Sequence, residues 1–114
     1  MTTIYHNPRC SKSREALSLL RKNGIEPEIV DYLNTPLDAD ALKSITTMLG
    51  CSIQDIVRTG EDIFYKLGLK NTSASEDELI DIVVNNPLLL QRPIVVNNNK
   101  AVIGRPPENV LAIL

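Results

Sequence analysis

Apolar and polar positions along the chain fall into short blocks whose period changes. Thr2-Thr3-Ile4-Tyr5-His6 is β-branched and aromatic and predicts a first strand. Asn7-Pro8-Arg9 interrupts it. Ala16, Leu17, Leu19 and Leu20 then line one side of a helix that stops at Gly24, a residue suited to the position just past a helix end. Ile29-Val30-Asp31-Tyr32 predicts a second strand, so the opening reads as a βαβ unit with a right-handed crossover. The middle turns helical. Leu42, Ile45, Met48 and Leu49 share a face between Asp38 and Gly50. Ser52 is placed to cap a short helix through Val57, and Ser75-Glu76-Asp77-Glu78 has the spacing of a capping box ahead of Leu79, Ile80, Ile82 and Val83. That helix should end before Pro87. Pro93-Ile94-Val95-Val96 and Lys100-Ala101-Val102-Ile103 flank three asparagines and predict a hairpin. Pro106 or Pro107 suits the first turn of a last helix.

The order β-α-β, helices, β-β-α predicts an α/β class: a small mixed sheet flanked by helices, with a helical insertion between the two halves. The length of 114 residues fits one domain, with the insertion at about 36–90. Apolar residues at 43% and charged residues at 23% suit a folded chain and exclude a disordered one. Aromatics reach only 4%, which argues against a stacking platform for single-stranded nucleic acid. No apolar run approaches the roughly 18 residues of a membrane span, and no secretory leader is expected. Two cysteines make no disulfide framework, so a reducing cytoplasm is the expected location.

The net charge of −2 conceals a segregation. Residues 26–81 hold 12 of the 14 acids and 4 of the 12 bases. Both ends are therefore basic, and a fold that joins them could build an anion site.

Cys10 is the residue where that matters. It falls between the first strand and the first helix, where free N–H groups and the helix dipole favour an anion. Arg9, Lys12 and Arg14 lie within four residues, and His6 just upstream is a candidate partner of the thiol. Each of these lowers a thiol pKa, and the thiolate is the nucleophile. An inert core cysteine is the alternative, but a polar turn is a poor place for one. Ser13 stands where a C-x-x-C pair would put its second cysteine, so an oxidised Cys10 needs another thiol to resolve it. Cys51 could be that thiol or a small packing residue. Cys10, Cys51 and His6 lack zinc spacing, and no metal is expected.

Arg92 and Arg105 each precede a proline, which stiffens the chain and aims the side chain from a loop. The planar guanidinium suits tetrahedral oxyanions such as phosphate or arsenate. No phosphate-binding glycine motif occurs, and the bases of residues 9–22 surround a helix with an apolar face, so direct nucleic-acid binding is not expected.

The segments Ile4-Tyr5-His6-Asn7-Pro8-Arg9-Cys10-Ser11-Lys12-Ser13-Arg14, Arg92-Pro93-Ile94-Val95-Val96 and Gly104-Arg105-Pro106, in this order, resemble the glutaredoxin-coupled arsenate reductase family. The similarity runs through nearly the whole chain, including Tyr32-Leu33-Asn34-Thr35-Pro36 and the segment around Arg58. It implies a thioredoxin-like fold, Cys10 as nucleophile, His6 as a helper of the thiolate, and Arg58, Arg92 and Arg105 as the oxyanion ligands. It implies a cis Arg92–Pro93 bond, with Ser13 and Arg14 in support. It further implies arsenate as substrate, glutathione as co-substrate with no bound cofactor, glutaredoxin as protein partner, and a monomer. Arg9 departs from the small residue that well-established reductases carry before the nucleophile, and Ser11-Lys12-Ser13 is more basic than their loop. Two alternatives stay open: a redox-sensing or RNA-polymerase-binding regulator, and a glutathione-dependent thiol exchanger.

Overall fold

The computed structural model describes residues 1–114, which divide into two compact units: Met1–Thr35 with Arg92–Leu114, and Pro36–Gln91.

The first unit holds four strands, β1 (Thr3–His6), β2 (Glu28–Asp31), β3 (Ile94–Asn97) and β4 (Lys100–Ile103), in the order β2-β1-β3-β4. β2 lies parallel to β1; β3 runs antiparallel to both β1 and β4. The parallel pair needs a crossover, and α1 (Ser11–Lys22) supplies it. Ile4 faces Val95 across the β1–β3 ladder, and both are fully buried with Ala16, Leu20 and Val110 in the core of this unit. Burying five such side chains is worth roughly 1.5–3 kcal/mol for each of the larger ones, which is what holds α1 and the last turn of chain to the sheet. Asn98 and Asn99 both take positive φ, 52° and 62°, the twist that joins two antiparallel strands by a two-residue turn. The last helix is 3-10 in type, Pro107–Ile113.

α1 ends as its sequence predicts. Gly24 has φ +77°, and the Ile25 N–H reaches back to the Leu20 carbonyl at 2.9 Å. This sheet, crossover helix and hairpin make the thioredoxin-like mixed α/β fold.

The second unit is helical: α2 (Ala39–Leu49), α3 (Asp62–Lys66) and α4 (Glu76–Asn85), with 3-10 turns at Ile53–Ile56, Leu69–Asn71 and Pro87–Leu89. Asp38 caps α2 through the Ala41 N–H at 2.8 Å. Ser75 and Glu78 form the reciprocal capping box at the start of α4. Leu42, Ile45, Ile53, Ile56, Leu79, Ile80 and Val83 are buried here. The residues after Ser52 form 3-10 rather than α-helix, because four residues close too few i→i+4 bonds. α3 had no sequence signal: five residues are too short for a periodic stripe, and none of them is buried. No helix is long and apolar enough to cross a membrane.

Candidate active site

The site begins with the break after β1. Asn7 is buried, and its backbone and side chain organise the turn. Its carbonyl accepts from the Cys10 N–H at 3.0 Å, and its Oδ1 accepts from the Arg9 N–H at 3.0 Å. These bonds fix Cys10 as the N-cap of α1, with φ −91° and ψ 123° and no closed bond from its side chain to the helix. A thiol is a weak cap, so the first-turn N–H groups stay turned toward sulfur without being consumed.

Three chain segments converge there. Arg105 Nη1 lies 3.8 Å from Cys10 Sγ and donates to the Arg92 carbonyl at 3.3 Å. Partial burial pushes the Cys10 thiol up, but the Ser13 N–H, the Arg92 guanidinium and the Lys12 N–H pull it down, and the net lies below the ordinary cysteine value. The Arg92–Pro93 bond is cis, as the resemblance implied; the Arg105–Pro106 bond is cis as well, which the sequence did not signal. The Pro93 carbonyl accepts from the Gly104 N–H at 2.9 Å, tying the two arginine-bearing segments together. A Cβ at Gly104 would lie 2.8 Å from Pro93 Cγ, so only glycine fits this approach.

His6 sits at the end of β1, nearly buried, with Nδ1 2.6 Å from Ser13 Oγ. Its ring partner is thus Ser13, where the sequence pointed to the thiol. Burial pushes its pKa down, Asp31 opposes that, and Arg14 and Arg21 add to it. A neutral imidazole results at pH 7, so the positive charge beside sulfur comes from Arg92 and Arg105. Ser13 is fully buried, and its Oγ also accepts from the Asn7 N–H at 3.1 Å. Arg14 Nη1 donates to the Pro8 carbonyl at 2.9 Å, bracing the same turn.

Arg58 belongs to the helical unit, where it bonds Glu61 Oε1 at 3.1 Å and Gln91 Oε1 at 2.8 Å. Cys51 is also there, its thiol pushed up by burial and by Asp55 and Glu76, which makes it a poor nucleophile. No cluster of three or more His, Cys, Asp or Glu side chains is arranged to hold a metal ion. Sequence reasoning passed over Asn7 and Gly104. An Asn-Pro pair does mark a turn that the asparagine side chain can organise. Nothing local marks Gly104, whose neighbours come from other elements.

A chemistry follows from this arrangement: a low-pKa thiolate, part-exposed, held beside two guanidinium groups that can receive an anion. A model of the ArsC family matches residues 5–113 of the chain. The chain is 55% identical to the uncharacterized protein YfgD of Escherichia coli K12 over 112 residues, 97% of this chain and 94% of that protein. It is 49% identical over 112 residues to an arsenate reductase of Neisseria meningitidis serogroup A, covering 97% of this chain and 96% of the relative. The structure of an arsenate reductase from Vibrio cholerae matches with a TM-score of 0.96 at 43% identity, covering 99% of this chain and 97% of that one. On the extent of these matches, the chain belongs to the ArsC family.

Proposed function

We propose that the chain reduces arsenate to arsenite with Cys10 as its single nucleophile, in the cytoplasm, drawing electrons from glutathione and glutaredoxin. The observation that carries this reading is a thiol of lowered pKa with the Arg105 guanidinium 3.8 Å from sulfur. A thiolate meeting an anion at about 4 Å is repelled by roughly 4 kcal/mol per pair of unit charges at an effective dielectric of 20. Arg92 and Arg105 offset that cost where it arises. Ser13, His6, Arg14 and Pro93 hold the framework around sulfur.

The Cys10 thiolate attacks arsenic(V), and one arsenate oxygen takes up protons and leaves as water. Glutathione sulfur then attacks the arsenic of that adduct, and a second arsenate oxygen leaves as water. Glutaredoxin sulfur takes the glutathione as a mixed disulfide. As that one disulfide forms from two thiols, the arsenic–glutathione bond breaks with its electron pair left on arsenic, which becomes arsenic(III); water then displaces the Cys10 sulfur, releasing arsenite and restoring the thiol. Serine at position 13 leaves Cys10 without a local resolving thiol, which fits dependence on external ones.

The test is coupled NADPH oxidation with glutathione, glutathione reductase and glutaredoxin, started by arsenate. Wild type should show arsenate-dependent oxidation that Cys10→Ser abolishes. Flat traces from a thiol-competent protein would overturn the reductase reading and point to redox sensing or thiol exchange.

A further inference from the structure

We propose that Asp31 is a positioning residue of the Cys10 site: its carboxylate keeps the ring proton of His6 on Nε2, so that Nδ1 accepts from the Ser13 hydroxyl. The inference rests on Cys10 as the nucleophile of the reading just given and adds a residue to its support.

The Ser13 end fixes the direction of the bonds. Ser13 is fully buried, and its Oγ meets the Asn7 N–H at 3.1 Å and His6 Nδ1 at 2.6 Å. The Asn7 N–H can only donate, so Oγ accepts there. The hydroxyl hydrogen then has Nδ1 as its acceptor. A neutral imidazole that accepts at Nδ1 carries its proton at Nε2.

The β2 end supplies a reason for the same tautomer. His6 and Asp31 are register partners in the parallel β1–β2 ladder, where adjacent strands lie about 4.8 Å apart. Asp31 Oδ2 accepts from Asn34 Nδ2 at 2.8 Å, whereas Oδ1 is buried and bonded to nothing. A buried carboxylate oxygen without a donor is costly unless a nearby charge or dipole answers it. Nδ1 is given to Ser13 on α1, which leaves the Nε2 edge of the ring to answer Asp31. Three charged groups act on His6: Arg14 and Arg21 from α1 hold its pKa down together with burial, and Asp31 alone raises it. Moving a proton from about 6 Å to about 4 Å from a carboxylate favours it roughly tenfold at an effective dielectric of about 20. The bonds and dipoles thus run in one sense, from the Asn7 N–H through Ser13 and His6 to Asp31, and such chains polarise cooperatively. Ser13 joins this chain to the nucleophile, because its backbone N–H is among the groups that hold the Cys10 thiol down.

His6 is the only histidine in the chain, so its ring nitrogens can be read without ambiguity. Long-range nitrogen–proton NMR at neutral pH should find the ring proton on Nε2 in the wild type. Asp31→Asn removes the charge at nearly constant shape, and His6 should then titrate at lower pH. Alkylation of Cys10 at neutral pH, followed by mass spectrometry, should slow about two- to tenfold, the net worth of one hydrogen bond. Asn34→Ala takes away the partner of Oδ2 and leaves the charge, so the tautomer and the titration should stay as in the wild type. A ring proton on Nδ1 in the wild type, a His6 titration unmoved by Asp31→Asn, an equal move in Asn34→Ala, or a Cys10 alkylation rate unchanged by Asp31→Asn would each overturn the proposal. None of these readings uses arsenate. A chain without reductase activity can keep this inference, and the reductase reading can stand without it.

Discussion

Ser13→Ala removes a single oxygen that two buried partners share. Ser13 Oγ accepts from the Asn7 N–H at 3.1 Å and lies 2.6 Å from His6 Nδ1. Ser13 is wholly inaccessible, and His6 and Asn7 are nearly so at 7% and 5% exposure, so water cannot readily replace the lost oxygen. Each buried group left without a partner costs about 1–3 kcal/mol. Loss of both bonds should therefore cost about 2–6 kcal/mol, large for one atom and at its upper end exceptional for a single substitution. An unfolding entropy of ~2.1 cal/mol/K per residue, over a chain of this length, makes each kcal/mol worth roughly 4 °C. Differential scanning calorimetry should show a Tm lowered by roughly 8–24 °C. A double-mutant cycle with His6→Leu separates the bond from a general loosening. If the two residues act through their shared bond, the double variant costs less than the sum of the singles by at least ~0.5 kcal/mol. Alanine keeps the backbone N–H at position 13, so thiol acidity should change less than stability. A Tm loss under about 4 °C, or strict additivity in the cycle, would refute the reasoning.

Other outcomes follow from the same geometry. Arg92→Ala removes a cation that holds the Cys10 thiol down, so the thiolate should titrate at higher pH and alkylation by iodoacetamide should slow at neutral pH; an unchanged titration curve would contradict the assigned cause. Gly104→Ala drives a Cβ to 2.8 Å from Pro93 Cγ in a ring that cannot swing away, which should cost about 1–3 kcal/mol and be read as a lower Tm; an unchanged Tm would show that the segment gives way freely. His6 has a folded-state pKa below its ordinary value, through burial first, so the unfolded chain binds the extra proton. The stability it contributes is present above about pH 6.5 and is lost as pH falls through the lower folded value. Urea midpoints at several pH values should fall on acidification less steeply in His6→Gln than in wild type, and equal slopes would remove His6 from the account.

Much of the fold was legible in the chain because its signals are local. Runs of β-branched residues predicted the strands, and spacing of Leu and Ile predicted α1, α2 and α4. The capping box at Ser75–Glu78 and the stop at Gly24 are formed by near neighbours and occur where the residue types put them. The position of Cys10 at the start of α1 was equally local, since a proline and an asparagine end the strand before it. Where elements were short and lacked a cap the local signal failed: α3 and the 3-10 turns at Leu69–Asn71 and Pro87–Leu89 have too few residues to show a period, whereas Ser52 marked the turn at Ile53–Ile56.

The sequence by itself therefore determined the order of elements, the placement of a nucleophilic cysteine at a helix end, and the lack of a resolving cysteine at position 13. The tertiary structure decided what surrounds that thiol. Arg105 meets Cys10 across 95 positions of chain, and this follows from β3 lying beside β1 with β4 as its hairpin partner. The same packing sets Gly104 against Pro93 and gives Ser13, rather than the thiol, to His6. Caps and periodicity act over a few residues, whereas the electrostatics of the thiol are set by sheet order, which brings distant charges within 4 Å of one another.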